Sequence, residues 1–197
     1  MKGIDVSVHN GKIDWKKVKD SGIEFAMIRA GYGNVIEQKD KRFEENYSGA
    51  KVAGLKVGVY WFSYADNEKM AAQEAAECLE ILKGRELDMP IAFDFEYDSV
   101  KYAAKKGVTI TRTSATAIVA AFTKNIRESG YDSMIYTNYD YISRYYDMNR
   151  LADNYLWLAV WGGNRPSRTH SMWQYSAKGI VSGITGNVDI NLFFPWE

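Results

Sequence analysis

Short apolar runs alternate with amphipathic stretches along most of the chain. Residues 3–8 (GIDVSV), 24–33 (EFAMIRAGYG), 56–64 (KVGVYWFSY) and 89–96 (MPIAFDFE) read as strands, mostly apolar as strands covered on both faces are. Between them, residues 13–20 (IDWKKVKD) read as a short helix, with Asp14 as N-cap and Gly22 as stop. Residues 42–53 follow as a second helix, with Phe43, Tyr47 and Ala50 at helical spacing and Gly54 just beyond. The clearest helix is 70–83. There Ala71, Ala75, Cys78, Leu79 and Leu82 share one stripe, and Glu74, Glu77 and Glu80 face elsewhere. Another helix is predicted over 114–128, with Ile118, Ala121, Phe122, Asn125 and Ile126 on one face and Gly130 closing it. Strands at 133–138, 155–161, 171–176 and 187–193 complete the chain, with little room for helices among the last three.

Alternating strands and helices predict an α/β fold with a parallel sheet. The length suits a compact, irregular (β/α) TIM-like barrel with fewer helices than strands, its later strands pairing partly as hairpins. A doubly wound open sheet is the alternative. No G-x-G-x-x-G or Walker loop is present, since RAGYG (29–33) supplies only G-x-G, and that weakens the alternative's usual nucleotide reading.

Composition narrows the function classes. The 197 residues suit one domain, taken as 1–197. A net charge of zero gives no bulk-charge attraction to nucleic acid or acidic surfaces, and no window approaches the ~20 apolar residues of a membrane span. The single cysteine, Cys78, cannot form an internal disulfide, and its apolar stripe marks it as a buried small hydrophobe rather than a nucleophile. The 14 Tyr and 6 Trp suit a core, and equally a sugar-binding cleft with aromatic faces and polar tips. After Met1-Lys2-Gly3 the chain enters a strand with no signal-peptide pattern, so with Met1 as the start the expectation is synthesis in the cytoplasm.

Candidate chemistry lies where acids interrupt strands, which are normally depleted in them. Asp94 and Glu96 stand at i and i+2 of one run, so an extended backbone points both the same way. Asp5, followed by Ser7 and His9, and Asp189 lie in the first and last strands. In a (β/α) barrel these strand ends converge at one mouth, ringed by Tyr60, Trp61, Tyr136, Trp161 and the Trp173-Gln174-Tyr175 run. Glycoside hydrolysis needs one carboxyl that keeps its proton and one that is ionised, and neighbouring carboxylates split their proton affinities. A solvated strand end, or a Mg²⁺ or Ca²⁺ site built from oxygen acids, would leave the same pattern. The aromatic surroundings, without phosphate-binding groups, argue against the metal reading. His9 and His170 form no recognisable pair and read as loop residues, His9 also as a candidate substrate contact. The lysines of WKKVK and YAAKK read as solvated faces, and Tyr139, Tyr141, Tyr145 and Tyr146 as packing or a sugar platform.

The opening GIDVSVHNGKIDW, with FAMIRAGYG, GVYWFSYA, PIAFDFE, MWQYS and GITGNVDINLF in that order, resembles glycoside hydrolase family 25, the lysozymes often called the Chalaropsis type. The resemblance spans essentially the whole chain. A chitinase-type D-x-x-D-x-D-x-E run is absent, residues 89–93 being MPIAF. The resemblance implies an irregular barrel and muramidase activity: hydrolysis, with retention, of the β-1,4 bond from N-acetylmuramic acid to N-acetylglucosamine. By position it implies Glu96 as general acid/base, and Asp94 as nucleophile or as the group steering the substrate's acetamido oxygen. Asp5 and Asp189 match its other cleft acids, and Tyr60, Tyr136, Trp173, Gln174 and Tyr175 its substrate-binding segments. It implies no cofactor or metal and no obligate protein partner, only peptidoglycan glycan strands as substrate. It also implies a phage endolysin or bacterial autolysin. The absent leader favours an endolysin released with a holin's help. The chain's stop after Phe194-Pro195-Trp196-Glu197 suggests a catalytic domain with Pro195 opening a linker to wall-binding modules.

Overall fold

A computed structural model describes residues 1–194. The suggested linker start at Pro195 lies outside the described residues. Eight strands close into one barrel in chain order. They are β1 (Lys2–Val6), β2 (Phe25–Tyr32), β3 (Lys56–Phe62), β4 (Ile91–Asp94), β5 (Ser133–Thr137), β6 (Tyr155–Ala159), β7 (Met172–Gly179) and β8 (Val188–Phe193). Six α-helices accompany them among the described residues: α1 (Trp15–Asp20), α2 (Phe43–Val52), α3 (Glu68–Leu82), α4 (Tyr97–Lys105), α5 (Arg112–Glu128) and α6 (Tyr139–Arg144). The barrel with fewer helices than strands is as the sequence predicts.

The main departure from a regular barrel is the last strand. β1 through β7 pair in parallel, whereas β8 runs antiparallel to both β7 and β1. A short return from β7 cannot make a parallel crossover, so β8 turns back as a hairpin and closes the barrel. β6 and β7 are parallel without an α-helix between them, the return being made by the 160–171 loop.

Two helices went unread in the sequence. α4 begins immediately after Glu96, and α6 follows β5 with Asn138 as N-cap, its Oδ1 accepting the Tyr141 N–H at 3.0 Å. Both are short and rich in tyrosine, a residue with little helix preference. The YAAKK lysines therefore end a helix. The helix read over 70–83 starts earlier, at Glu68, because Asn67 caps it through the Met70 N–H at 3.0 Å. Glu74 does not face solvent: it is fully buried, and its Oε1 accepts the Tyr64 N–H at 2.9 Å, anchoring the segment after β3. Burial pushes this carboxyl up to about 8.

Side-chain alternation sorts the core into two layers. Outward residues such as Ala26, Ile28, Val57, Val59, Ile91 and Phe93 pack beneath the helices. Inward residues fill the barrel itself: Phe25, Met27, Met89, Ala92, Met134, Met172 and Phe193. Phe25 and Phe193 meet edge to face at 6.1 Å, and the flexible methionines fill the irregular space above. Trp157 then lies between Tyr60 and Tyr136, with ring centroids at 6.3 and 4.8 Å, and these three rings form the floor under the mouth.

Gly58 sits inside this plug directly below Tyr60 on β3. A Cβ there would lie 2.6 Å from both Met27 Sδ and Met89 Cβ and 3.0 Å from the Pro90 carbonyl. Met27 can move, but the other two belong to the chain entering β4. Gly58→Ala is expected to cost about 1–3 kcal/mol, read as an earlier urea midpoint with an unchanged slope.

Candidate active site

At the C-terminal ends of the parallel strands lies a cleft of about 950 Å³. It takes in Asp5, Asp94, Glu96, Asp189, Tyr60 and Tyr136 together. It also takes in Gln174 and His9. The four acids thus reach one space from β1, the end of β4 and β8.

Asp5 and Asp189 are direct cross-strand neighbours in the antiparallel β1–β8 pair, which puts the Asp189 charge beside Asp5. Asp5 is buried, and its Oδ2 accepts the Asn191 Nδ2–H at 2.7 Å and the Gln174 Nε2–H at 3.0 Å. Burial and then the Asp189 charge push Asp5 up to about 8, against the two amide hydrogen bonds. Asp189 is raised by burial, with its neighbour Asp5 pulling the other way.

The DFE segment departs from a simple strand. β4 ends at Asp94, and Glu96 is the N-cap of α4, with φ −125° and ψ −170°. The extended backbone at Glu96 leaves both carboxyls in the cleft. The segment is pinned on several sides. Ser63 N–H donates to the Asp94 carbonyl at 2.8 Å, Tyr146 Oη–H to the Phe95 carbonyl at 3.2 Å, and Glu96 N–H to Ser99 Oγ at 3.0 Å. Phe95 is buried outward and stacks on Phe93 with ring planes 6° apart. Asp94 is buried, and its Oδ1 has no hydrogen-bond partner among the described residues. Burial, then Glu96 and Asp5, hold Asp94 well above the usual carboxylate range, with Arg29 pulling the other way. Glu96 is half-buried and is pushed up to about 7 by burial, then by Asp98 and Asp189. Four carboxyls this close cannot all ionise near neutrality, so the cleft retains protons that ordinary acids would have lost.

Tyr60 and Tyr136 form part of the floor, with phenols raised well above normal by burial and by the carboxylates around them, so both stay as donors. Tyr136 Oη–H donates to Gln174 Oε1 at 2.9 Å. Trp173 and Tyr175 do not line the cleft. They flank Gln174 on the same strand and therefore point to the opposite face: Trp173 Nε1–H donates to the Val160 carbonyl at 2.8 Å, and Tyr175 packs against the outer core. Of the WQY run, the structure brings only Gln174 into the cleft with the acids. His9 lies exposed on a 3-10 turn (Val8–Asn10) at the cleft edge. His170 is on the loop before β7, where its Nδ1 lies 2.6 Å from the Arg168 carbonyl oxygen and its Nε2 accepts the Arg165 Nε–H at 3.4 Å. Tyr141 and Tyr146 are buried packing residues, while Tyr139 is exposed.

Several further residues line the cleft or, like Asn191, hydrogen-bond to its acids from behind. Arg29 enters from β2, and its Nε–H donates to Asp40 Oδ2 at 2.8 Å, an oxygen that also accepts the Val8 N–H at 3.0 Å. Asn191 lies two residues beyond Asp189, and Trp157 two beyond Tyr155. All three repeat the inward face of their own strands, a period-2 signal that was available. Asp98, in the first turn of α4, required the unread helix. Among the described residues no group of three His, Cys, Asp or Glu could hold a metal ion, and no helix is long and apolar enough to cross a membrane.

The profile described as "Glycosyl hydrolases family 25" matches residues 4–184. The autolytic lysozyme of Clostridium acetobutylicum is 32% identical over 197 residues, covering 98% of this chain and 56% of that protein. The chain thus spans little more than half the length of that relative. Among solved structures, the bacterial lysozyme from Streptomyces coelicolor superposes with a TM-score of 0.82 at 29% identity, covering 98% of this chain and 91% of that one. The modular autolysin LytC from Streptococcus pneumoniae, solved in complex with a synthetic peptidoglycan ligand, superposes with a TM-score of 0.81 at 27% identity, covering 98% and 46%.

Proposed function

The chain belongs to glycosyl hydrolases family 25, and from that premise we propose that it is a lysozyme of the muramidase type acting on bacterial peptidoglycan. The observation that carries this reading is the Asp94–Glu96 pair, two carboxyls held in one acidic cleft at the barrel mouth with raised proton affinities. The bond broken is the β-1,4 linkage from N-acetylmuramic acid to N-acetylglucosamine. Glu96, which retains a proton up to about pH 7, gives it to the departing glucosamine oxygen. Positive charge grows on the anomeric carbon of muramic acid, where the acidic cleft stabilises it. Asp94 manages that charge, either by attack on the carbon or by orienting the acetamido oxygen that attacks. Glu96, now ionised, takes a proton from the incoming water, and that water's oxygen becomes the new hydroxyl with the original configuration retained. Asp5 and Asp189 supply negative field and position water. Tyr60, Tyr136 and His9 meet the glycan.

The cell wall is where such an activity works. Its action there as an endolysin or autolysin, a holin-dependent release, and wall-binding modules beyond this chain belong to the same proposal. Digestion of purified peptidoglycan followed by mass spectrometry of the reduced fragments tests it. Fragments with muramic acid at the reducing end are expected. Glucosamine at the reducing end would replace the muramidase reading with that of another hexosaminidase, and no fragments at all would leave only a glycan-binding barrel.

A further inference from the structure

Beside the acids, two amides and two indoles form a chain of hydrogen bonds with one permitted direction, buried except at Trp161. Trp157 Nε1–H donates to Asn191 Oδ1 at 2.8 Å, and Trp161 Nε1–H donates to Gln174 Oε1 at 2.9 Å. An indole nitrogen can only donate. Each amide must therefore present its oxygen to its tryptophan, and so its NH₂ to the other side. On that other side, in both cases, stands Asp5 Oδ2, at 2.7 Å from Asn191 and 3.0 Å from Gln174. We propose that Trp161 and Trp157 are positioning residues for Asp5: through Gln174 and Asn191 they keep Asp5 Oδ2 an acceptor at all times, so that any proton Asp5 carries sits on its other oxygen, Oδ1.

Burial makes the arrangement specific. Asn191 is fully buried and Gln174 nearly so, so neither amide has free exchange with water. An amide turned over would set its oxygen against a carboxylate oxygen and leave an indole N–H facing NH₂, both repulsive in a low-dielectric site. Gln174 is held twice, because Tyr136 Oη–H also donates to its Oε1 at 2.9 Å. A phenol, unlike an indole, can reverse its role and accept. Trp161 is therefore what fixes the direction. It is also 59% exposed, so its N–H can be removed with little risk to the fold.

The consequence is a change in proton affinity. The titratable and charged groups facing Asp5 are Asp189 from β8, Asp94 and Glu96 from the end of β4, Arg29 from β2, and the phenols of Tyr60 and Tyr136 from β3 and β5. Trp161→Phe leaves every one of them in place and retains an aromatic ring at the mouth. What it removes is the lock on Gln174. The freed amide can turn its oxygen to Asp5, an arrangement that suits only a protonated carboxyl.

The test is a carboxyl ¹³C titration of Asp5 and Asp189 in wild type, Trp161→Phe, Gln174→Met and the double variant. Trp161→Phe is expected to move the pair's titration upward by about one pH unit, the scale of losing one charge-assisted hydrogen bond. Gln174→Met, which removes the amide, is expected to move it at least as far, and adding Trp161→Phe to it is expected to do nothing more. A wild-type titration in Trp161→Phe overturns the inference, even if Gln174→Met fails to fold, and so do additive shifts in the double variant. The inference does not rest on the muramidase reading, since the titration holds for any substrate and wild-type digestion tests that reading separately.

Discussion

Glu96→Gln is expected to lower the rate of glycan cleavage by about 10²–10⁴-fold with little change in KM. Glutamine matches the size and polarity of the protonated acid but cannot release its proton to the leaving oxygen. Turbidity loss of peptidoglycan suspensions, with kinetics on soluble glycan fragments, measures it. Activity within tenfold of wild type would remove Glu96 from the acid role and point to Asp98, the other cleft carboxyl at the start of α4. The same proton sets the pH dependence. Glu96 is pushed up to about 7, so the competent form is protonated below that value. The wild-type rate is expected to fall tenfold per pH unit above about 7, as that proton is lost.

Stability should also fall as pH rises, but in a lower window. Below the unfolded value of 4.5, Glu96 is protonated in both states and imposes no penalty. Between 4.5 and about 7 the folded protein binds the extra proton, so stability falls as pH rises through that window and then levels off. Glu96→Gln removes the ionisation, with an expected gain on the order of 2 kcal/mol at pH 8 and none at pH 4. Thermal unfolding at the two pH values shows whether the gain follows the proton.

Asp94→Asn is expected to lower the rate by about 10²–10³-fold, the scale of losing one preorganised electrostatic group at the reacting carbon. The carboxyl is buried, has one oxygen without a hydrogen bond, and faces Glu96, Asp5 and Arg29. Asparagine keeps its shape but cannot ionise to balance an oxocarbenium-like centre as that charge develops. Residual activity at this level fits an Asp94 that steers the acetamido group. Loss to background fits an Asp94 oxygen that bonds to the sugar, and mass spectrometry of rapidly quenched wild type would then show a glycosylated peptide containing residue 94. A variant within about threefold of wild type would take Asp94 out of the chemistry. Like Glu96→Gln, the variant should unfold at higher temperature than wild type at neutral pH, because burial holds Asp94 well above its ordinary value.

The comparison between sequence and structure turns on period and partner. Period was readable. Asp94 stands out because Pro90, Ile91 and Phe93 around it are apolar, and Gln174 because it alternates with Met172 along β7. The same alternation separates Gln174 from Trp173 and Tyr175, so one residue of that run lines the cleft and two lie outside it. Glu74 shows the other limit. Its place off the apolar stripe suggested solvent, but the segment after β3 folds over it and uses its carboxyl as a backbone acceptor. Local spacing records which way a side chain leaves its own helix, not what another segment lays over it.

By itself the sequence determined the alternating elements, the barrel with too few helices, the four candidate acids and the resemblance that ordered them. The tertiary structure alone decided that β8 runs antiparallel, which sets Asp189 directly opposite Asp5. It also decided that Glu96 caps a helix instead of ending a strand, and that Arg29 is held by Asp40. Which residues share a face follows from backbone geometry a few residues long. Which faces meet across the barrel depends on chain closure over 186 residues between Asp5 and Asn191, and no local pattern carries that distance.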